Sequence, residues 1–178
     1  MFDSTITHIK NHSFKVIDLS KFFLIKKTTI AFIPFVLSKI AAGFPSPAED
    51  YIDKTVDMNE LLISNKDATF IVQVESLSMK NIGIHINDYL IVDRSIRSQH
   101  SDIVVAFIDN DFTVKRLMIT QNMLHDELVE FFGSSYDFDS LPAVWLKPEN
   151  EECTPILPRS EQELVIWGVV SKVIKNFK

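Results

Sequence analysis

The stretch DIVVAFIDNDFTVKRLMI, residues 102–119, decides the fold. Two runs of β-branched and aromatic residues flank Asp109, Asn110 and Asp111, which tolerate the backbone geometry of a tight turn. This pattern predicts a β-hairpin with its second strand at residues 112–119. Similar runs at 69–74, 89–92 and 164–174 predict further strands. We therefore expect a mostly β protein built on a curled, largely antiparallel sheet.

Lys115 stands in an apolar part of the second hairpin strand, beside Val114, Leu117 and Ile119. Burial disfavours the charged ammonium and lowers a lysine pKa, and a neutral lysine can act as a general base. Because side chains alternate along a strand, we expect Arg116 to point to the opposite face and to stay in water. Taken alone the pattern is not specific, since most strand lysines keep their charged ends in water.

The composition excludes several classes of protein. A chain of 178 residues with 46% hydrophobic residues can bury one domain that carries an appendage. Only 4 glycines are present, and no phosphate-binding loop motif occurs, which argues against a nucleotide-dependent enzyme. Cys153 is the only cysteine, so no intrachain disulfide can form. His8 and His12 have no third ligand nearby, and we expect neither a metal nor another cofactor.

Charge divides the chain into an arm, residues 1–42, and a body, residues 43–178. The arm holds six Lys against two Asp, so of the total net charge of −6 the arm carries +4 and the body −10. Pro34, Pro45 and Pro47 favour extended backbone in and just after the arm. An acidic body should bind duplex DNA poorly, so we expect no direct specific binding to DNA.

Part of the arm is similar to a secretory signal. Lys26 and Lys27 precede an apolar run, and residues 41–43 read Ala-Ala-Gly. However, Pro34 interrupts that run, Lys39 adds a charge near its end, and the run is too short to span a membrane as a helix. We therefore expect a cytoplasmic protein that makes no membrane contact.

Several motifs follow one another in an order typical of one protein family. They begin with GFPSPAEDYIDKTVDMNELLI at residues 43–63 and continue at 68–72, 78–79, 83–84, 88–93, 100–105, 111–115 and 167–170. Together they resemble UmuD-like proteins of the LexA/UmuD family of self-cleaving serine peptidases. The resemblance implies a scissile bond between Ala42 and Gly43, a nucleophile at Ser78 and a general base at Lys115. It also implies an oxyanion hole made by the backbone N–H groups of Leu77 and Ser78.

The resemblance further implies a role in the SOS response to DNA damage. A RecA filament on single-stranded DNA would stimulate the cut, and the shortened homodimer would join a UmuC-like translesion polymerase. A LexA-like transcriptional regulator is an alternative, although 41 residues before Ala42 look too short for a helix-turn-helix domain. A catalytically impaired interaction protein with the same fold is another alternative.

Two features depart from the family pattern. Ser76 and Leu77 stand where the family usually has Gly-Asp before the serine, and a side chain at position 76 would crowd the oxyanion hole or alter the approach of the arm. Residues 121–146 form a longer segment than is usual and contain no Lys or Arg. This segment is either a hairpin extension that covers the sheet or a surface that binds a partner. It interleaves acidic and aromatic residues, namely Asp126, Glu127, Glu130, Asp137 and Asp139 with Phe131, Phe132, Tyr136, Phe138 and Trp145.

Overall fold

The computed structural model describes residues 22–24, 32–36 and 52–177. In these ranges the strands join into a seven-stranded antiparallel sheet of order β1-β4-β5-β9-β6-β7-β8 and a two-stranded sheet, β2-β3. Neither of the two α-helices within those residues has the length and hydrophobicity to span a membrane. In chain order the elements are β1 (Phe22–Leu24), β2 (Phe32–Val36), β3 (Ile52–Asp57), α1 (Met58–Leu62), β4 (Thr69–Gln73), β5 (Tyr89–Asp93), β6 (Ile103–Ile108), β7 (Asp111–Ile119), α2 (His125–Phe132), β8 (Val144–Lys147) and β9 (Val165–Ile174).

The predicted hairpin is formed by β6 and β7. Ile108 pairs with Asp111, and the two residues between them, Asp109 and Asn110, have φ angles of 52° and 66°. Two successive positive φ angles are the geometry of the type I′ turn, whose twist matches that of the flanking strands. The hairpin prediction is confirmed, and the other three predicted strands correspond to β4, β5 and β9.

Two strands of the arm pair with the body by their backbones. β1 pairs with β4, and β2, which contains Pro34, pairs with β3. The extended backbone expected around Pro34 is therefore confirmed. The proposed scissile residues Ala42 and Gly43 fall between β2 and β3 and lie outside the described residues. The same holds for His8 and His12.

The Ser78 loop, residues 75–83, connects β4 to the segment before β5. Met79 is only 1% exposed and belongs to a core cluster, so its side chain anchors the loop from below. A short 3-10 helix, Lys80–Ile82, follows and ends at Gly83, whose φ of 81° favours glycine. The chain therefore turns through a brief helix directly after the serine.

The segment between β7 and β8 is helical rather than a plain β extension. β7 and β8 are antiparallel neighbours, so the segment is the connection of a hairpin, as one interpretation of residues 121–146 predicted. Its main element is α2, and the rings of Phe131 and Phe132 lie 5.3 and 5.2 Å from that of the fully buried Trp145. These aromatic residues cover β8. The partner-binding interpretation stays a hypothesis.

Candidate active site

Ser78 and Lys115 meet in a buried site. Lys115 projects from the middle of β7, and its Nζ lies 2.8 Å from Ser78 Oγ. The serine is 6% exposed and the lysine 7% exposed. Chain topology brings them together, because the Ser78 loop packs against the strand that the β6–β7 hairpin places beside it.

The amine of Lys115 has three hydrogen-bond partners among the described residues. They are Ser78 Oγ at 2.8 Å, Thr113 Oγ1 at 2.7 Å and the carbonyl of Val114 at 3.1 Å. All three are uncharged oxygens, so they do not offset burial as a carboxylate would. Burial lowers the pKa of Lys115 from its ordinary value, and the negative form of the nearby Cys153 thiol opposes that shift.

The three partners bear on the direction of the lone pair of a neutral Lys115 amine. A charged lysine has three hydrogens and can donate one to each oxygen, whereas a neutral lysine has two hydrogens and one lone pair. If Thr113 and Val114 accept those two hydrogens, the lone pair faces Ser78. The serine hydroxyl then donates its own hydrogen to Nζ, which is the arrangement that a Lys base needs.

The peptide bond between Leu77 and Ser78 is held in one orientation. The Leu77 carbonyl accepts hydrogen bonds from the Lys80 N–H, at 3.1 Å, and from Nδ2 of the buried Asn150, at 3.0 Å. Because the C=O and N–H of a trans peptide point in opposite directions, the Ser78 N–H faces away from Asn150. Within residues 55–177, no backbone acceptor takes up the N–H of Leu77 or Ser78.

Arg116 corrects one expectation. Its side chain points away from the Ser78–Lys115 contact, as strand alternation predicts. It does not remain in water: it is 25% exposed, forms an ion pair with Glu149 and donates to the carbonyl of Ser101. The expectation was wrong because β8 pairs Lys147 with Arg116, and Glu149, two residues later, supplies a carboxylate to the guanidinium.

The residue at the Gly position of the family motif is directed toward the serine. Ser76 Oγ lies 3.2 Å from Ser78 Oγ, and Ser76 is exposed. Leu77, the other departure, is also exposed. Ser76 therefore adds a third hydroxyl to the site, besides those of Ser78 and Thr113.

Two residues of the site, Thr113 and Asn150, were not predicted from the sequence. Thr113 could have been found from strand alternation, since it lies two residues before Lys115 and hence on the same face. Asn150 gives no such signal, because it is 73 residues from Leu77 and reaches it only through the fold. In the part of the chain that is described, no group of three His, Cys, Asp or Glu residues could hold a metal ion.

Comparisons with known proteins agree on one family. A family model described as Peptidase S24-like matches residues 34–125, a range that includes Ser78 and Lys115. The chain is 45% identical over 141 residues to Protein ImpA of Shigella flexneri, covering 79% of this chain and 82% of that protein. It is 37% identical over 139 residues to Protein MucA of Salmonella typhimurium, covering 78% and 82%. It is 35% identical over 142 residues to the LexA repressor of Aeromonas hydrophila subsp. hydrophila, covering 79% of this chain and 58% of the repressor.

Proposed function

Because this chain belongs to the Peptidase S24-like family and is a UmuD-like relative of LexA, we propose that it is a serine endopeptidase that cuts its own chain between Ala42 and Gly43. Ser78 is the nucleophile and Lys115 the general base. The observation that carries the proposal is the contact of 2.8 Å between Lys115 Nζ and Ser78 Oγ in a buried site.

The first chemical step is attack by Ser78 on the carbonyl carbon of Ala42. Neutral Lys115 takes the hydroxyl proton as the bond from Ser78 Oγ to carbon forms, and the lysine becomes an ammonium. The three oxygens around Nζ then each accept one hydrogen. Lys115 returns its proton to the leaving amine of Gly43, and water releases the acyl group in a second round.

The backbone N–H groups of Leu77 and Ser78 stabilise the oxyanion. Their lack of a backbone acceptor within residues 55–177 supports this role, as does the hydrogen bond from Asn150 that orients the peptide between them. Donors held in place before the reaction pay little reorganisation energy when negative charge develops. Asn150 is therefore a positioning residue of the proposed site.

The chain uses this reaction as a switch in the SOS response. A tethered substrate removes most of the entropic barrier to encounter, so the uncut state persists only if the arm is undocked or Lys115 is charged. A RecA filament on single-stranded DNA accelerates the cut by stabilising the docked arm. The shortened chain, as a homodimer, then serves a UmuC-like translesion polymerase.

The test is intact mass spectrometry of the purified full chain after incubation at about pH 10, close to the ordinary lysine pKa. We expect a fragment that begins at Gly43, and we expect Ser78→Ala and Lys115→Ala to abolish it. A second experiment adds activated RecA filament at neutral pH. The fragment should appear faster with the filament than without it.

The outcomes separate the parts of the proposal. Equal cleavage in wild type and in either variant would exclude Ser78 and Lys115 as catalytic residues. A cut at another bond would retain the peptidase and reject the site at Ala42 and Gly43. Cleavage that the filament does not accelerate would retain the chemistry and reject RecA as the activator.

A further inference from the structure

The hydroxyl of Ser76 lies at the mouth of the proposed site. Ser76 is exposed, whereas Ser78, whose Oγ is 3.2 Å away, is 6% exposed. Ser76 therefore presents a hydroxyl beside the nucleophile from a residue that solvent reaches. A carbonyl carbon bonded to Ser78 Oγ would lie close to that hydroxyl.

Hydrogen counting assigns the donor in this contact. In the reactive state the hydroxyl hydrogen of Ser78 points at the lone pair of Lys115, since Thr113 and Val114 take both hydrogens of the neutral amine. Ser78 Oγ then has no hydrogen left for Ser76 and can only accept. Ser76 is accordingly the donor of the hydrogen bond between the two serines.

Attack creates a stronger, negatively charged acceptor beside that donor. A lone pair of Ser78 Oγ becomes the bond to the Ala42 carbonyl carbon, the proton of Ser78 moves to Lys115, and the π electrons of the carbonyl move to its oxygen. The resulting oxyanion is attached to the same carbon as Ser78 Oγ. It therefore comes within reach of a hydroxyl that already contacts Ser78 Oγ and can rotate about its χ1 angle.

From this sequence of contacts we infer that the Ser76 hydroxyl is a third donor of the oxyanion hole, beside the backbone N–H groups of Leu77 and Ser78. Ser76 is then a catalytic residue of this chain, since it contacts the reacting oxygen. The inference rests on the proposed function, because it assumes that Ser78 attacks a carbonyl. It is opposed to the expectation that a side chain at position 76 only crowds the hole.

The test compares Ser76→Ala, Ser76→Gly and Ser76→Thr in the full chain. Removal of one oxyanion donor typically costs about 10²-fold or more in rate, so the Ala and Gly variants should both cut slowly at every pH, and Thr should recover part of the rate. The midpoint of the pH profile should not move, because the lysine environment is unchanged. Ser160→Ala, the same change at an exposed serine elsewhere, is the matched control and should cut at the wild-type rate.

A second measurement does not depend on docking of the arm. Diisopropyl fluorophosphate phosphorylates an activated serine through a transition state with an anionic phosphoryl oxygen, so its reaction with Ser78 needs the same donors and no docked peptide. Ser76→Ala should slow labelling by a factor similar to that seen for cleavage. Thermal unfolding of each variant should match that of the wild type, because Ser76 is exposed.

Three results would overturn the inference while leaving the proposed function intact. They are cleavage by Ser76→Ala or Ser76→Gly at or above the wild-type rate, labelling that Ser76→Ala leaves unchanged, and a shifted pH midpoint with an unchanged plateau. By contrast, a wild type that neither cuts nor labels at Ser78 would defeat the proposed function itself.

Discussion

Lys115 and Arg116 are adjacent cations on β7 in opposite environments. Among the described residues, Lys115 is surrounded by uncharged oxygens, and burial lowers its pKa. Arg116 forms an ion pair with Glu149, which is itself only 16% exposed. One face of the strand disfavours the charged form of Lys115. The other face pairs the charge of Arg116 with a carboxylate.

Under the proposed mechanism, this difference separates a residue that must release its proton from one that must keep it. A carboxylate beside Lys115 would favour the ammonium and remove the base, whereas a carboxylate beside Arg116 allows a permanently charged group to be partly buried. The absence of a carboxylate from the described hydrogen-bond partners of Lys115 is thus what a base requires. The following predictions test that contrast.

The largest effect on self-cleavage is expected when Lys115 is replaced by arginine. Lys115→Arg keeps the positive charge but removes the ability to become neutral, because an arginine pKa is above about 12. Self-cleavage should fall by about 10²- to 10⁴-fold, the usual contribution of a general base. Arg116→Lys is the matched control and should retain cleavage, as followed by mass spectrometry. Substantial cleavage by Lys115→Arg would show that the base lies elsewhere.

A smaller loss is expected when Asn150 can no longer orient the peptide before Ser78. Asn150→Asp keeps the oxygen that accepts the Glu152 N–H but removes the amide that donates to the Leu77 carbonyl. We expect a reduction of about 10-fold or more in the plateau rate, because misaligned oxyanion donors lose part of their effect.

The control for this variant carries the same change of charge. Asn81 is exposed and sits in the same loop, and its backbone N–H donates to the Glu149 carbonyl, so Asn81→Asp leaves that contact and the Leu77 contact in place. Both variants add a negative charge near the site and should raise the pH midpoint. A lower plateau is expected for Asn150→Asp alone, and equal plateaus would reject the positioning role.

Much of the fold could be predicted because its signals are local. The β6–β7 hairpin follows from residues that tolerate positive φ between two β-branched runs, and the extended backbone of β2 agrees with the presence of Pro34. The contact between Ser78 and Lys115 was expected only through a family resemblance. Nothing local to either residue requires them to meet, since they are 37 positions apart.

The parts that escaped prediction depend on long-range packing. The apolar residues of α2 cover Trp145, but a helix of 8 residues among acidic and aromatic neighbours gives a weak periodic signal. Glu149 reaches Arg116 across 33 positions, and no pattern in β7 indicates that a carboxylate will arrive there. The sequence therefore predicted the direction of the Arg116 side chain but not its contact with Glu149.

Stability should respond with opposite signs when each cation is replaced by Met. Arg116→Met leaves Glu149 without its main partner and should lower the free energy of unfolding by about 1–2 kcal/mol, between the values for exposed and buried pairs. Lys115→Met removes a buried charge and should raise it by about 1 kcal/mol at neutral pH. Urea unfolding monitored by circular dichroism measures both.

The gain for Lys115→Met should depend on pH. Since the folded-state pKa of Lys115 is lowered, the unfolded chain binds more protons between the folded and the ordinary lysine pKa, and wild-type stability rises with pH through that window. The advantage of Met should therefore be largest below the folded pKa and shrink at alkaline pH. A gain that does not change with pH would mean that Lys115 is not a strained cation in the folded protein.

The smallest effect is expected from Thr113→Val, which removes one oxygen from around Lys115 with little change of shape. A hydrogen bond from an ammonium is stronger than one from a neutral amine by about 1 kcal/mol, so its loss destabilises the charged form more and lowers the pKa of Lys115 further. The midpoint of the cleavage profile should move to lower pH by up to about one unit. Thr154→Val, at an exposed position, should leave the midpoint in place. A midpoint that rises in Thr113→Val would mean that this hydroxyl favours the neutral amine. Thr113, rather than burial, would then be the cause of the lowered pKa of Lys115.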